Sequence, residues 1–152
     1  EESARKASEA AATKAREESE RKAKEEAARK AQVEQAGRRV REEAEQRAAR
    51  QLGTAGLALL HHNYRCRMGE LDIVAREGET LVIVEVRLRS SARFGGAAAS
   101  ITHAKRHRIV LATRHLLARY PSLQKLPMRF DAMLVDGAAG QIEWIKGAFD
   151  AF

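Results

Sequence analysis

The sequence is poor in cysteine and in aromatic residues. Cys66 is the single cysteine among 152 residues, which excludes an internal disulfide and a zinc site built from several cysteines. Aromatic residues make up 5% of the chain, so few rings are available to stack on unpaired bases. This composition argues against a dedicated single-strand binder of the OB-fold or RRM kind.

Long apolar stretches are also missing. The chain contains no run of about 18 apolar residues, the length that a membrane-spanning helix needs. It shows no apolar signal segment either. From these two absences we expect a soluble, cytoplasmic protein without a membrane partner.

Residues 1–36 are rich in charge but almost empty of large side chains. They contain nine Lys or Arg, nine Asp or Glu and eleven Ala, and Val33 is the only larger apolar residue among them. Strong helix formers, with Glu four residues before Lys or Arg, predict a solvated single helix, partly frayed. We expect a charged helical or partly disordered extension that serves as a spacer or as a surface for a protein partner.

Residues 37–152 are expected to form one domain. They carry the whole net charge of +7, because the charges of residues 1–36 cancel. A basic domain of this kind suits nucleic-acid phosphates. The residues that we expect to contact nucleic acid are Arg65, Arg67, Arg89, Arg93, Lys105, Arg106 and Arg108.

A β-hairpin is predicted over residues 69–89. Two β-branched, apolar runs flank the turn Glu77-Gly78-Glu79. Charged residues interrupt both runs, and in Ile83-Val84-Glu85-Val86-Arg87 they break into a strand that otherwise looks buried on both faces. Such interruptions indicate a function for the charges. The alternative is that they are solvated residues on the open face of an antiparallel sheet.

The register of this hairpin decides whether its charges form one site. With a two-residue or four-residue loop we expect Glu70 to face Glu85, and Asp72 to face Ile83. Because side chains alternate along a strand, one face then carries Glu70, Asp72, Glu85 and Arg87. A three-residue loop shifts the register by one and moves Asp72 to the other face.

Carboxylates that share a face across two strands repel each other by up to about 1 kcal/mol. A hard divalent cation such as Mg²⁺ removes this repulsion, keeps several waters and binds substrate phosphates. Such ions activate water and stabilise the charge that develops at phosphorus. The acidic face therefore suggests phosphodiester hydrolysis.

Apolar periodicity predicts the other elements of the domain. They are a helix that ends near residues 53–56, a strand over Leu57–Asn63, a helix capped by Ser100 or Thr102 that runs to about Tyr120, and a second hairpin of Met128–Asp136 with Gln141–Ile145. Residues 94–97 are either a mobile lip over the acidic face or a plain connection.

Two polar residues of these elements are given roles. Lys105 continues the buried stripe of the second helix by one turn, so we expect it at the edge of the core, within reach of the acidic face. Asp131, in the second hairpin, is expected to be the structural partner of an arginine rather than a further acid of the site.

Six segments from about Glu45 to Phe152 resemble the YraN family of uncharacterised bacterial proteins, in the restriction-endonuclease-like PD-(D/E)xK superfamily. They are Asn63-Tyr64-Arg65-Cys66-Arg67, Gly69-Glu70-Leu71-Asp72, Val84-Glu85-Val86-Arg87, Phe94-Gly95-Gly96, Arg129-Phe130-Asp131, and Trp144-Ile145-Lys146 with Ala148-Phe149-Asp150. The resemblance implies an α/β fold with a restriction-endonuclease-like core. In that core, helices flank a small mixed central β-sheet, preceded here by the long charged N-terminal helix.

The resemblance also implies a site. It makes Asp72 and Glu85 the metal-binding acids. If the protein is a nuclease, we expect these acids to hold Mg²⁺ or Mn²⁺ as cofactor, with Glu70 or Glu45 assisting. Glu45 stands where related nucleases use a helical Glu as an extra metal or water ligand, with Glu42 and Glu43 as nearby alternatives. The position two residues after the second acid is usually Lys in the superfamily. Here it is Arg87, which stays protonated and can only donate hydrogen bonds or clamp a phosphate.

Three functions follow as alternatives. The first is a Mg²⁺- or Mn²⁺-dependent endonuclease that cuts DNA or RNA, as a homodimer where two strands are cut, with Lys105 partly replacing the missing lysine. The second is a nucleic-acid-binding module that keeps the nuclease fold but has lost turnover at Arg87. The third is an interaction protein that works through its N-terminal helix.

Overall fold

The computed structural model describes residues 2–89, 101–137 and 140–151. Its elements, in chain order, are helix α1 (Glu2–Thr54), strands β1 (Ala58–Cys66), β2 (Gly69–Glu77) and β3 (Thr80–Arg89), helix α2 (His103–Arg119), a 3-10 turn (Pro121–Leu123), and strands β4 (Met128–Asp136) and β5 (Ile142–Phe149). Arg93 and the glycine-containing segment 94–97 lie outside the described residues. In the part of the chain that is described, no helix combines the length and the apolarity needed to cross a membrane.

The chain divides into two compact units, Glu1–Arg39 and Val40–Phe152. The first unit is a stretch of α1 whose described side chains are all exposed. Its ion pairs join residues four positions apart, such as Lys22 and Glu18 with 2.8 Å between Nζ and Oε1. Exposed pairs of this kind each contribute little to stability. The long charged N-terminal helix predicted from the sequence is confirmed.

A five-stranded sheet forms the centre of the second unit, with the strands in the order β1-β2-β3-β4-β5. Neighbouring strands are antiparallel except β3 and β4, which run parallel. A parallel pair needs a crossover connection, and α2 lies in the connection from β3 to β4. The predicted fold class, an α/β fold in which helices flank a small mixed sheet, is confirmed.

Each face of this sheet has its own apolar core beneath a helix. The core under α2 contains Leu71, Val74, Leu81, Ile83 and Phe130, together with Ile109, Ala112 and Leu116 of the helix. The core under the last turns of α1 contains Ile73, Ala75, Val82, Val84 and Met133, together with Ala48 and Leu52 of the helix. The central strands are therefore buried on both faces, which explains why their charged residues stand out in the sequence.

The β2–β3 hairpin closes with the two-residue loop Gly78-Glu79. Glu77 pairs with Thr80, and the pairing continues to Ile73 with Val84. Gly78 has a φ of +59°, a left-handed conformation that glycine adopts without strain. Loops of this length and conformation match the twist of the flanking strands.

The predicted register of this hairpin, with Glu70 opposite Glu85, was wrong by two residues. The loop is centred between Gly78 and Glu79, so the observed register brings Asp72, instead of Glu70, to the level of Glu85. A shift by two residues preserves which side chains share a face. The correction therefore brings the two predicted metal-binding acids closer together.

Candidate active site

Asp72 lies where the regular pairing of β2 with β3 ends. Its Oδ2 accepts a hydrogen bond of 2.8 Å from the main-chain N–H of Val86, so the carboxylate takes the place of a main-chain partner. Leu71 belongs to the core under α2 and Ile73 to the core under α1, although residues two apart in a regular strand face the same side. This irregularity in β2 turns the Asp72 carboxylate toward β3.

Glu85, on β3, is 5% exposed and contacts the Asp72 carboxyl. Burial, and after it the charge of Asp72 and a hydrogen bond shared with it, raises the pKa of Glu85 to about 8, while the Lys105 charge opposes the rise. Near neutral pH Glu85 therefore keeps its proton beside Asp72.

Two cations flank Glu85. The Nζ of Lys105 lies 3.3 Å from Glu85 Oε1, and the Nη1 of Arg87 lies 3.9 Å from the same atom. Lys105 stands in the first turn of α2, where the Thr102 side chain caps the helix by accepting a hydrogen bond from the Lys105 main-chain N–H. Lys105 therefore contacts Glu85 from the first turn of α2, as its position on the buried face of that helix predicts.

Glu45, on α1, is a third buried acid near this pair, with 5% of its surface exposed. Burial raises its pKa and the Asp72 charge adds to the rise, whereas a hydrogen bond from the Asn63 side chain opposes it. The Nε2 of His62 lies 3.6 Å from Glu45 Oε2. The neighbouring acids at positions 42 and 43 are exposed, so Glu45 is the acid that this part of α1 turns inward.

A cleft of about 370 Å³ adjoins the acids and is lined by Arg65, Cys66, Gly69, Glu70, Lys105 and Arg108. Glu70 Oε1 accepts a hydrogen bond of 3.2 Å from the Nε of Arg65. Lys105 both lines the cleft and contacts Glu85, so it connects the cleft with the paired carboxyls. Three cationic side chains in one cleft are suited to a phosphate group.

Two other predicted nucleic-acid contacts, Arg106 and Arg89, are not among the residues that line the cleft. Arg106 donates a hydrogen bond of 3.0 Å to the carbonyl of Ile101, and its guanidinium lies 5.5 Å from the centre of the Phe149 ring. Arg89 is paired with Glu143 at 3.1 Å. The remaining two are Arg67, exposed in the β1–β2 turn, and Arg93, outside the described residues.

Asp131 has the structural role predicted from the sequence, as the partner of an arginine. It is fully buried and accepts two hydrogen bonds from Arg129, of 2.7 and 2.8 Å. Trp144 Nε1 and the main-chain N–H of Gly147 also donate to it, at 3.0 and 2.9 Å. These contacts hold the irregular pairing of β4 with β5 and leave Asp131 outside the acidic pair.

Asp72 and Glu85 fit a hard divalent cation as donors. Mg²⁺ usually takes one or two carboxylates and fills its other positions with water and substrate phosphate. A cation would also displace the proton of Glu85, because ligands bind metal in their deprotonated form. Within residues 2–89, 101–137 and 140–151, no group of three or more His, Cys, Asp or Glu side chains could hold a metal ion. The candidate donor set is therefore this pair.

Asn63 is a residue of this site that sequence reasoning missed. It has a φ of +53° within β1, and hydrogen bonding by its side chain lowers the pKa of Glu45. Asparagine is enriched in the left-handed conformation, which is the one signal that the residue type offers. The alternation of apolar and polar residues along a strand does not predict a residue with positive φ.

Comparison with known proteins matches the part of the chain that contains these residues. The sequence model of "Uncharacterised protein family UPF0102" matches residues 44–135, a range that contains all the candidate acids. A UPF0102 protein of Legionella pneumophila is 50% identical over 107 residues, which cover 70% of this chain and 91% of the relative. A UPF0102 protein of Nitrosomonas europaea is 54% identical over 107 residues, 70% of this chain and 89% of the relative. One of Dechloromonas aromatica is 53% identical over 107 residues, 70% of this chain and 85% of the relative.

Proposed function

This chain belongs to the UPF0102 family, also called YraN, and on that basis we propose that it is a metal-dependent, nuclease-like protein that binds and cleaves phosphodiesters of DNA or RNA. The observation that carries the proposal is the contact between the buried carboxyls of Asp72 and Glu85 beside a cationic cleft. Two acids in contact are unfavourable to bury. Their burial together supports a function that needs both.

In the proposed reaction Asp72 and Glu85 hold Mg²⁺ or Mn²⁺. When bound, the ion supplies an activated water and stabilises charge at the phosphorus. Arg65 and Arg108 bind the phosphate backbone in the cleft through charge-assisted hydrogen bonds. Arg87, beside Glu85, donates to the scissile phosphate but cannot take a proton from water, because a guanidinium stays protonated.

Lys105 does part of the work of the lysine that the superfamily usually has at position 87. Its ammonium lies 3.3 Å from Glu85 Oε1, a position from which it would orient a water beside that acid. Glu70 orients Arg65 at the cleft, and the buried carboxyl of Glu45 assists as a water ligand. Residues 1–39 contribute no residue to the proposed site. The cytoplasmic location that the sequence predicts stays a prediction.

Arg87 favours a second candidate, a binding module that keeps the nuclease fold without turnover. In this alternative the cleft binds phosphates through Arg65, Lys105 and Arg108, as in the first. Asp72 and Glu85 would then hold a cation whose charge offsets that of the phosphate, without turnover. A homodimer is expected only for the first candidate, the nuclease, and only if it cuts both strands of a duplex, because each cut needs its own site.

Cleavage assays separate the two candidates. Purified protein is mixed with labelled branched, duplex and single-stranded DNA and RNA, in Mn²⁺ or in EDTA. We expect cleavage that requires Mn²⁺ and that Asp72→Asn and Glu85→Gln abolish, while the exposed Glu42→Gln has no effect. Binding without cleavage under every condition would favour the binding module, and neither binding nor cleavage would reject both candidates.

A further inference from the structure

We propose that Asn63 is a positioning residue of this site, a role that rests on the proposed function: its left-handed backbone and its side-chain amide hold the Glu45 carboxylate beside Asp72. The residue touches neither of the predicted metal-binding acids through a hydrogen bond of the described structure. It acts through Glu45.

The backbone of Asn63 is unusual. Its φ of +53° makes it the one non-glycine residue with positive φ in the described part of the chain. The conformation breaks the alternation of β1, because His61 and Tyr64 lie on the same side, with ring centroids 5.7 Å apart. Most side chains disfavour this conformation, and such strained residues cluster at functional sites.

The break in β1 lies directly beside Asp72. In the β1–β2 register Asn63 stands at the level of Asp72, between the pairs His62–Ile73 and Tyr64–Leu71. Asp72 is itself the position at which β2 departs from regular alternation. Two irregular residues therefore face each other across neighbouring strands, which turns both side chains out of the regular sheet pattern.

The side chain of Asn63 connects this point to α1. The preceding residue of β1 reaches Glu45 directly, since His62 Nε2 lies 3.6 Å from Glu45 Oε2. Beside it, hydrogen bonding by the Asn63 amide lowers the pKa of the Glu45 carboxyl, which is 5% exposed. The Oδ1 of Asn63 is buried and has no hydrogen-bond partner among the described residues. An unpaired buried acceptor is unfavourable. The orientation of the amide is therefore explained by its donor end, which serves Glu45.

A purely structural role for Asn63 makes a different prediction. If the residue were needed only for the break in β1, glycine would replace it fully, because glycine adopts positive φ without strain. A positioning role requires the amide as well. Asn63→Gly keeps the backbone and removes the amide, so it separates the two roles.

The test compares four full-length proteins: wild type, Asn63→Gly, Glu45→Ala and the double variant. For Asn63→Gly we expect a Tm close to that of the wild type, a kcat for Mn²⁺-dependent cleavage about tenfold lower, and little change in KM. Glu45→Ala should lose about as much. The double variant should lose no more than either single variant, because both remove the same interaction.

Wild-type activity in Asn63→Gly would overturn the proposal, as would losses that multiply in the double variant. If wild-type protein neither cleaves nor binds Mn²⁺, the proposed function has failed, and NMR of the Asn63 side-chain amide then decides the inference. Glu45→Ala should shift those amide proton signals strongly; unchanged signals would overturn it. If Asn63→Gly does not fold, the same NMR comparison of wild type with Glu45→Ala tests the proposal.

Discussion

At the scale of single residues, Glu85 shows how a folded environment changes a carboxyl. Apolar surroundings disfavour its charged form, and the adjacent Asp72 disfavours it further, so its pKa lies at about 8. Lys105 opposes this shift without cancelling it. The metal-free protein therefore keeps a neutral acid where the proposed function needs a charged ligand, and the difference can be measured as stability.

Metal-free protein is expected to lose stability as the pH rises from about 5 to about 9. The pKa of Glu85 is near 4.5 when unfolded and about 8 when folded. Between these values the folded state holds a proton that the unfolded state has released. Each pH unit then lowers the unfolding free energy by up to about 1.4 kcal/mol, and the stabilisation is lost once the pH passes the folded pKa.

Urea unfolding in EDTA at several pH values measures this slope. Glu85→Gln, which has no proton to release, should flatten it. The exposed Glu42→Gln should leave the wild-type slope unchanged. If Glu85→Gln kept the wild-type slope, the protonated state of Glu85 would be excluded.

Arg87→Lys addresses turnover at the same site. The side chain approaches Glu85 Oε1 to 3.9 Å, so a lysine at this position would stand within reach of the acid. An amine can orient or help deprotonate water, whereas a guanidinium cannot accept a proton. We expect Mn²⁺-dependent cleavage to rise at least about tenfold, a modest share of what acid–base groups contribute. Initial rates of cleavage measure this change, with Arg89→Lys as the control. A lower cleavage rate in Arg87→Lys would show that the site depends on the guanidinium.

At the scale of elements, the β2–β3 hairpin shows what its sequence determines. The two-residue period of a strand predicts which side chains share a face, and the apolar runs predict the strands. The register was not determined, because Glu77-Gly78-Glu79 allows more than one centre for the loop. The register is set by the two-residue loop with Gly78 in its left-handed conformation, which pairs Glu77 with Thr80. The identities of the loop residues alone do not specify this pairing.

Other elements divide in the same way. The contact of Lys105 with Glu85 could be predicted, because helical periodicity fixes which face of α2 meets the sheet. The conformation of Asn63 could not, because it depends on the pairing of β1 with β2. The partners of Arg106 and Arg89 could not be predicted either, since a positive charge indicates a suitable ligand but not which neighbour lies within reach.

The β4–β5 pair depends on one buried carboxylate. Phe130 pairs with Phe149, but the register has shifted by Ala132, and in the shifted stretch the N–H of Gly147 donates to Asp131. The same carboxylate binds Arg129 through two hydrogen bonds. It thereby satisfies donors that the interrupted pairing of β4 with β5 leaves over.

Asp131→Ala is expected to lower the unfolding free energy by about 3 kcal/mol or more. The change leaves Arg129 without its bidentate partner and removes the acceptor of Trp144 Nε1, and breaking a buried pair from one side typically has such a cost. Urea unfolding measures it. Asp150→Ala, at an exposed position of the same unit, should change stability little. If Asp131→Ala lowered the unfolding free energy as little as Asp150→Ala does, the Asp131 contacts would be dispensable for stability.

At the scale of the whole molecule, charge is distributed unevenly along the chain. Residues 1–36 contain equal numbers of acidic and basic residues, so the net charge of +7 belongs to residues 37–152. Phosphate binding releases counterions in proportion to the phosphates neutralised, which makes affinity fall steeply with salt. A segment whose charges cancel adds little to such a slope. The salt dependence of binding therefore reports which part of the chain meets nucleic acid.

A chain that begins at Gly37 is expected to bind labelled duplex with the same salt slope and nearly the same affinity as the full chain. The folded unit Val40–Phe152 contains the cleft and all the candidate acids, whereas the described side chains of residues 2–39 are exposed. Fluorescence anisotropy over a range of salt concentrations measures both quantities, and thermal unfolding confirms that the shortened chain folds. A shallower slope or a large loss of affinity in a folded shortened chain would mean that residues 1–36 contact nucleic acid. That result would favour the alternative in which the N-terminal helix carries the interaction.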